Sequence, residues 1–302
     1  MAKAHSVEKN IWPDDHTELT LCTMAAARVA KFTYPSYRNL ETMLGRIDAI
    51  AAFSELSVRE LIAKATDLEP SEYLRSLATR HHINLTHVDL RLLSLRTTQL
   101  HLVSVHQVFM EFLVRFKREH PSGSSWEPRE SDEPMVQYVW RQVLGSKTAG
   151  GEEEKSEVAL VEYYRFARNR FVHADEHKQP GLDKLKAMVK RHDALKKLDG
   201  PNAYRDLKFD DIIIFARSCL GVGNTICQNS MPTEQQVVSM IRDLDGKTEI
   251  GTPGFRLKGY RKFKNNSKRL RQALENLVHS LYGLEAAQST KIVEQLACGL
   301  LA

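Results

Sequence analysis

The sequence predicts an all-α fold, a helical bundle, and three observations predict it. Apolar residues recur at helical spacing along most of the 302 residues, and the segments they define are closed by Pro, Gly and Ser-rich stops. Strand signal is sparse, the run Ile212–Phe215 being the one stretch that reads equally as a strand. No internal repeat is present, and no heptad pattern is long enough for a coiled coil.

The elements follow in order. A first helix is expected from the Asp14/Asp15 cap through Leu19, Leu21, Met24, Ala27 and Val29 to Pro35. A second runs from Ser36 through Leu40, Met43, Leu44, Ile47 and Ile50, with short helices at 57–65 and 71–80, the latter behind Pro70. From Thr86 to Pro121 the apolar series Val88, Leu92, Leu95, Leu102, Val105, Phe109, Phe112, Leu113 and Phe116 predicts one extended helix or two nearly continuous ones. Polar loops at 122–134 and 145–154 flank a helix at 135–144. Then come a helix near 156–171, a basic amphipathic helix at about 182–198 broken by Gly200-Pro201, and an apolar helix at 209–226 closed by Gly221 and Gly223. The last helices are expected near 233–244, 258–282 and 289–301.

Length gives a soft prior of two domains, or one core with an appendage. The chain divides into a helical N-terminal block (1–85), a core (86–230) and a basic C-terminal block (231–302). With 42% hydrophobic and 27% charged residues, wholesale disorder is excluded. No apolar run reaches the roughly 18–20 residues that cross a bilayer, and the first ten residues lack the apolar stretch of a signal peptide. Four cysteines, none in a CxxC pair, exclude a disulfide framework and the usual zinc-finger spacings. A cytoplasmic setting and no membrane partner are therefore expected. Small buried hydrophobe is the reading for Cys22, Cys219, Cys227 and Cys298. No phosphate-binding Gly-Lys loop and no Gly-x-Ser-x-Gly elbow occur, and Gly221-Val-Gly223 lacks a dinucleotide-site context.

Charge is distributed unevenly. Eight basic residues and no acid lie between Arg256 and Arg271: Arg256, Lys258, Arg261, Lys262, Lys264, Lys268, Arg269 and Arg271. They outweigh the whole net charge of +5, so the positive potential is local, as a polyanion contact requires. Arg261, Lys262, Lys264, Lys268 and Arg269 are candidate RNA contacts, with Phe255, Tyr260 and Phe263 able to stack on unpaired bases. The alternative is a solvated amphipathic helix with Tyr260 and Phe263 turned to the core.

Chemistry concentrates in Tyr163-Tyr-Arg-Phe-Ala-Arg-Asn-Arg-Phe-Val-His-Ala-Asp175. Arg followed by His after four to six residues recurs elsewhere, as in Arg75–His81, Arg96–His101 and Arg115–His120. Only Arg168-Asn169-x3-His173 has four intervening residues and Asn, Asp or His directly after Arg. Arg168 offers a planar, permanently charged fork to a phosphate, and His173 a group that exchanges protons near neutral pH. Asn169 and His173 share a helix face, whereas positions 168 and 173 stand about 140° apart on an ideal helix. They converge better if the helix ends near Phe171–Val172 and the chain folds His173 back. Arg165 and Arg170 are further candidate substrate contacts.

Arg-polar-x3-His at a helix end in an all-α chain resembles the HEPN superfamily and its Rx4–6H ribonuclease signature, over roughly residues 86–230. The resemblance implies a metal-independent endoribonuclease without cofactor, acting through the RNA 2′-OH to leave a 2′,3′-cyclic phosphate. It implies a homodimer with a composite site, and a toxin or phage-defence effector under an inhibitor or sensor partner. Some HEPN nucleases carry Ex3KR on an earlier helix; here Glu111 and Arg115 are followed by Phe116, so half of it is kept. The resemblance implies that Glu111 orients Arg168 or His173, against the alternative of an i,i+4 surface ion pair.

Two rivals use the same residues. His173-x3-His177 has a metal-ligand spacing, but Pro180 closely follows and no third ligand is evident. A non-catalytic helical module binding nucleic acid or protein is the other. The remaining histidines, His101 and His106 among them, read as packing or surface residues.

Overall fold

A computed structural model describes residues 32–64, 70–85, 90–146, 150–173, 181–244, 253–263 and 265–301. The described residues form eleven α-helices and three short 3-10 turns, with no strand among them, so the fold is all-α. Among them no helix is long and apolar enough to cross a membrane. The helix expected from Asp14 lies outside the described residues.

Helix α1 (Pro35–Lys64) starts with Pro at its first position, where no N–H is required. It buries Tyr37, Leu40, Leu44, Ile47, Ala51 and Val58 at helical spacing. The sequence predicts a break before Ser57, but the helix is continuous. Ser54 and Ser57 donate back to the carbonyls of Ile50 and Phe53 (2.9 and 2.8 Å), so neither hydroxyl is free to cap a new helix. Helices α2 (Pro70–Arg80) and α3 (Leu90–Glu119) follow, α3 as one unbroken element. Its Phe109, Phe112 and Phe116 form a buried ladder met by Tyr34 and Tyr37.

Helix α4 (Met135–Leu144) has the expected bounds and ends on Gly145 at φ 77°. Helix α5 (Glu152–His173) is longer than expected at both ends. Helix α6 (Leu182–Arg191) stops before the expected Leu198, because His192 leaves the helix to meet the buried Glu157 carboxylate at 3.1 Å. Helix α7 (Phe209–Asn229) runs straight through Gly221 and Gly223 instead of closing there. These glycines serve close packing: a Cβ on Gly223 would stand 2.9 Å from the Tyr37 ring, and one on Gly221 would collide with Glu157.

Helices α1, α3, α5 and α7 pack on one another around a continuous core, with α4 against α3 and α7 and α6 against α5. The N-terminal block of the sequence reading is thus not separate in packing: α1 belongs to the same bundle as α3. The C-terminal part, α8 (Glu234–Arg242), α9 (Pro253–Tyr260), α10 (Ser267–Tyr282) and α11 (Ala286–Leu301), shares that core too. Tyr282 stacks on Phe32 and its carbonyl accepts the Thr33 N–H at 2.8 Å. The single helix expected over 258–282 is two, since the Asn266 side chain accepts the Arg269 N–H at 3.0 Å and caps α10.

Candidate functional site

Helix α5 presents two kinds of residue. Leu160, Val161, Tyr164 and Ala167 are buried in the core, while Arg165, Arg168, Asn169 and Arg170 are half-buried around its second half. Between Gly151 and Pro180 the sequence holds neither Gly nor Pro, so nothing interrupts the helix before His173, which is its last residue. The chain therefore does not leave the helix at Phe171–Val172 as the converging geometry requires. Positions 168 and 173 stand about 140° apart around the axis, with Asn169 and His173 one turn apart. Lys264 and His177 lie outside the described residues.

Arg168 Nη1 donates to Asn169 Oδ1 at 3.0 Å, so two of the three motif residues hold each other directly. The Arg168 Nε is buried and has no hydrogen-bond partner among the described residues. On α3, His106 Nδ1 is also buried without a partner among the described residues. Burial lowers the His106 pKa to about 4, and the Arg168 and Arg165 guanidinium groups push it the same way. The ring is neutral at physiological pH. Arg165 is held by Glu162, its Nη2 and Nε donating to Oε2 at 2.8 and 3.1 Å, while the other Glu162 oxygen is buried and unpartnered among the described residues. Toward the end of α5, the Arg96 guanidinium of α3 lies 5.3 Å over the Phe171 ring and donates to Gln99 at 3.0 Å. Cations, an uncharged imidazole and unsatisfied polar atoms thus gather where α3 and α5 meet.

The other expected residues divide. Arg170 stacks on Tyr204, its guanidinium carbon 5.0 Å from the ring centroid. Glu111 does not reach Arg168: its carboxylate pairs with Arg115 one turn along α3, both side chains exposed. Positions 106 and 111 lie about 140° apart around α3. The basic segment is exposed at Arg256, Lys258, Arg261, Lys262, Lys268 and Arg269. Its aromatics are not all available for stacking on bases. Tyr260 and Phe263 pack against the core, and Arg269 and Lys262 lie 4.5 and 5.3 Å over Phe263, while Phe255 is exposed.

His106 is the residue that sequence reasoning misses. It sits between the core positions Val105 and Phe109, and no local spacing ties it to Arg168 62 positions later. Only the packing of α3 on α5 does so. No protein-family model, curated protein or solved structure matches the chain.

Proposed function

We propose that this protein is a metal-independent endoribonuclease of the HEPN kind, working as a homodimer on cellular RNA, in a toxin or defence role. The observation that carries the reading is the Arg168–Asn169 pair, a guanidinium oriented by its neighbour in the last turns of α5, with His173 closing the same helix. Around it, burial and cationic neighbours suit a phosphodiester better than any uncharged ligand.

The reaction needs three acts. The 2′-oxygen forms a bond to phosphorus as its proton leaves, charge accumulates on the non-bridging oxygens, and the bond to the 5′-oxygen breaks as that oxygen gains a proton. His173 serves proton transfer at the 2′-OH or the 5′-oxygen. Arg168 stabilises the charged phosphorane, the contribution that usually dominates. Asn169 holds the fork. Positions 168 and 173 stand about 140° apart on α5, and a second copy supplies the complementary group. Val172, beside His173, and Leu92, Leu93 and Leu100 in the first half of α3 are exposed apolar side chains suited to that contact.

The test is cleavage of single-stranded RNA in EDTA. Wild type is expected to leave 2′,3′-cyclic phosphate and 5′-OH ends, and His173→Ala to lose at least about a hundredfold in rate while retaining fold and RNA affinity. Equal cleavage by both proteins, or RNA binding without cleavage by wild type, rejects the nuclease in favour of a binding module.

A further inference from the structure

The mechanism above uses Arg168, Asn169 and His173 and leaves His106 without a task. Yet His106 Nδ1 and Arg168 Nε, on neighbouring packed helices, are both buried and both lack a hydrogen-bond partner among the described residues. The two atoms are complementary. Nε–H is an obligatory donor, and Nδ1 of a neutral ring protonated on Nε2 is an acceptor. Leaving both unmade inside a protein is costly, and such costs persist where function requires them. Arg168 is already held at Nη1 by Asn169. A guanidinium held at one corner can pivot about that contact, whereas a second contact at Nε fixes its plane.

We infer that His106 is the positioning residue for Arg168, its Nδ1 accepting the Nε–H when the guanidinium turns its remaining edge to a phosphate. The consequence for catalysis rests on the nuclease reading; the contact itself does not. Active-site hydrogen bonds that are long or unmade in the free protein commonly close when ligand binds. The surroundings favour an accepting imidazole. The charged groups acting on it are Arg168 and Arg165 of α5, and a protonated ring would be a third cation there with no acceptor to offer. Arg165 is restrained by Glu162 and so remains a fixed neighbour.

The experiment compares full-length wild type, His106→Phe and His106→Asn, with His106→Leu as a second apolar variant and thermal midpoints to confirm folding. Asn places an acceptor near the Nδ1 position; Phe and Leu fill space without one. Exchange of the Arg168 Nε proton is followed by NMR on protein carrying 15N-arginine, with and without a 2′-O-methyl oligouridylate, which cannot be cleaved. Kinetics are measured on single-stranded RNA. With the probe bound, the proton should exchange about tenfold more slowly in wild type and His106→Asn than in the apolar variants. The apolar variants should lose about ten- to hundredfold in kcat with KM within about twofold, and His106→Asn should recover most of it. Equal exchange in wild type and the apolar variants, or unchanged kcat in them, overturns the inference while the nuclease reading stands. Exchange that depends on His106 in a wild type that cleaves no RNA does the reverse.

Discussion

Two buried polar clusters lie along helix α5 and are built on opposite principles. Toward α7, the fully buried Asp211 carboxylate accepts from Tyr164 Oη at 2.8 Å, Asn202 N–H at 2.9 Å, Asn202 Nδ2 at 3.0 Å and Lys208 N–H at 2.8 Å. Burial raises its pKa and these donors oppose the rise. Elsewhere on α5 and on the packed α3, Arg168 Nε, one Glu162 oxygen and His106 Nδ1 are buried with no partner among the described residues. One cluster is complete and fastens the start of α7 to the 199–208 loop. The other is incomplete around Arg168, the residue proposed to bind phosphate. Motif residues and structural residues are both charged and both buried; the state of their hydrogen bonds distinguishes them.

The largest effect should come from the complete cluster. Asp211→Ala removes the acceptor for all four donors and should destabilise the protein by about 3 kcal/mol in urea titration. A loss under about 1 kcal/mol would show that the cluster is not the anchor its geometry implies.

The incomplete cluster should respond in the opposite direction. Folded His106 holds its proton only below about 4, whereas unfolded histidine binds it near 6.5. Between those values the unfolded chain carries the extra proton, so stability falls as pH drops through the window. His106→Phe removes that loss and should raise stability at pH 5 relative to wild type by about 1 kcal/mol more than it does at pH 7.5. Parallel stability curves for the two proteins from pH 7.5 to 5 would contradict the buried neutral ring. A variant steadier in acid and slower on RNA would mark His106 as a residue kept for function at a cost in stability.

The smallest effect belongs to the exposed basic segment, which has neither kind of interior. Lys262→Glu with Arg269→Glu should weaken binding of single-stranded RNA several-fold and flatten its salt dependence, with stability little changed. Unchanged affinity would reduce the segment to a solvated surface.

Much of the bundle was legible from apolar spacing. The bounds of α4 and the run of α3 follow from their apolar series and from Pro134, Gly145 and Pro121. What the spacing missed was decided between elements. Ser57 reads as a cap until its hydroxyl is seen bonding within the helix. Gly223 reads as a stop until Tyr37 is seen packed on it. Tyr260 and Phe263 read as stacking platforms until the core is found beneath them. In the candidate site, the Arg168–Asn169 contact was accessible because the two residues are adjacent. Glu111 pairs with Arg115 one turn along, the alternative that their i,i+4 spacing already offered. His106 was passed over because nothing local distinguishes a core histidine from one facing an arginine.

The central proposal is that Arg168 of one copy and His173 of another complete one site. Co-refolding Arg168→Ala with His173→Ala, each inactive alone, tests it. A shared site predicts that the mixture regains about a quarter of wild-type cleavage, since half the dimers are mixed and each mixed dimer holds one intact site. A mixture as inactive as its components, beside an active wild type, would place both groups in one chain and contradict the account.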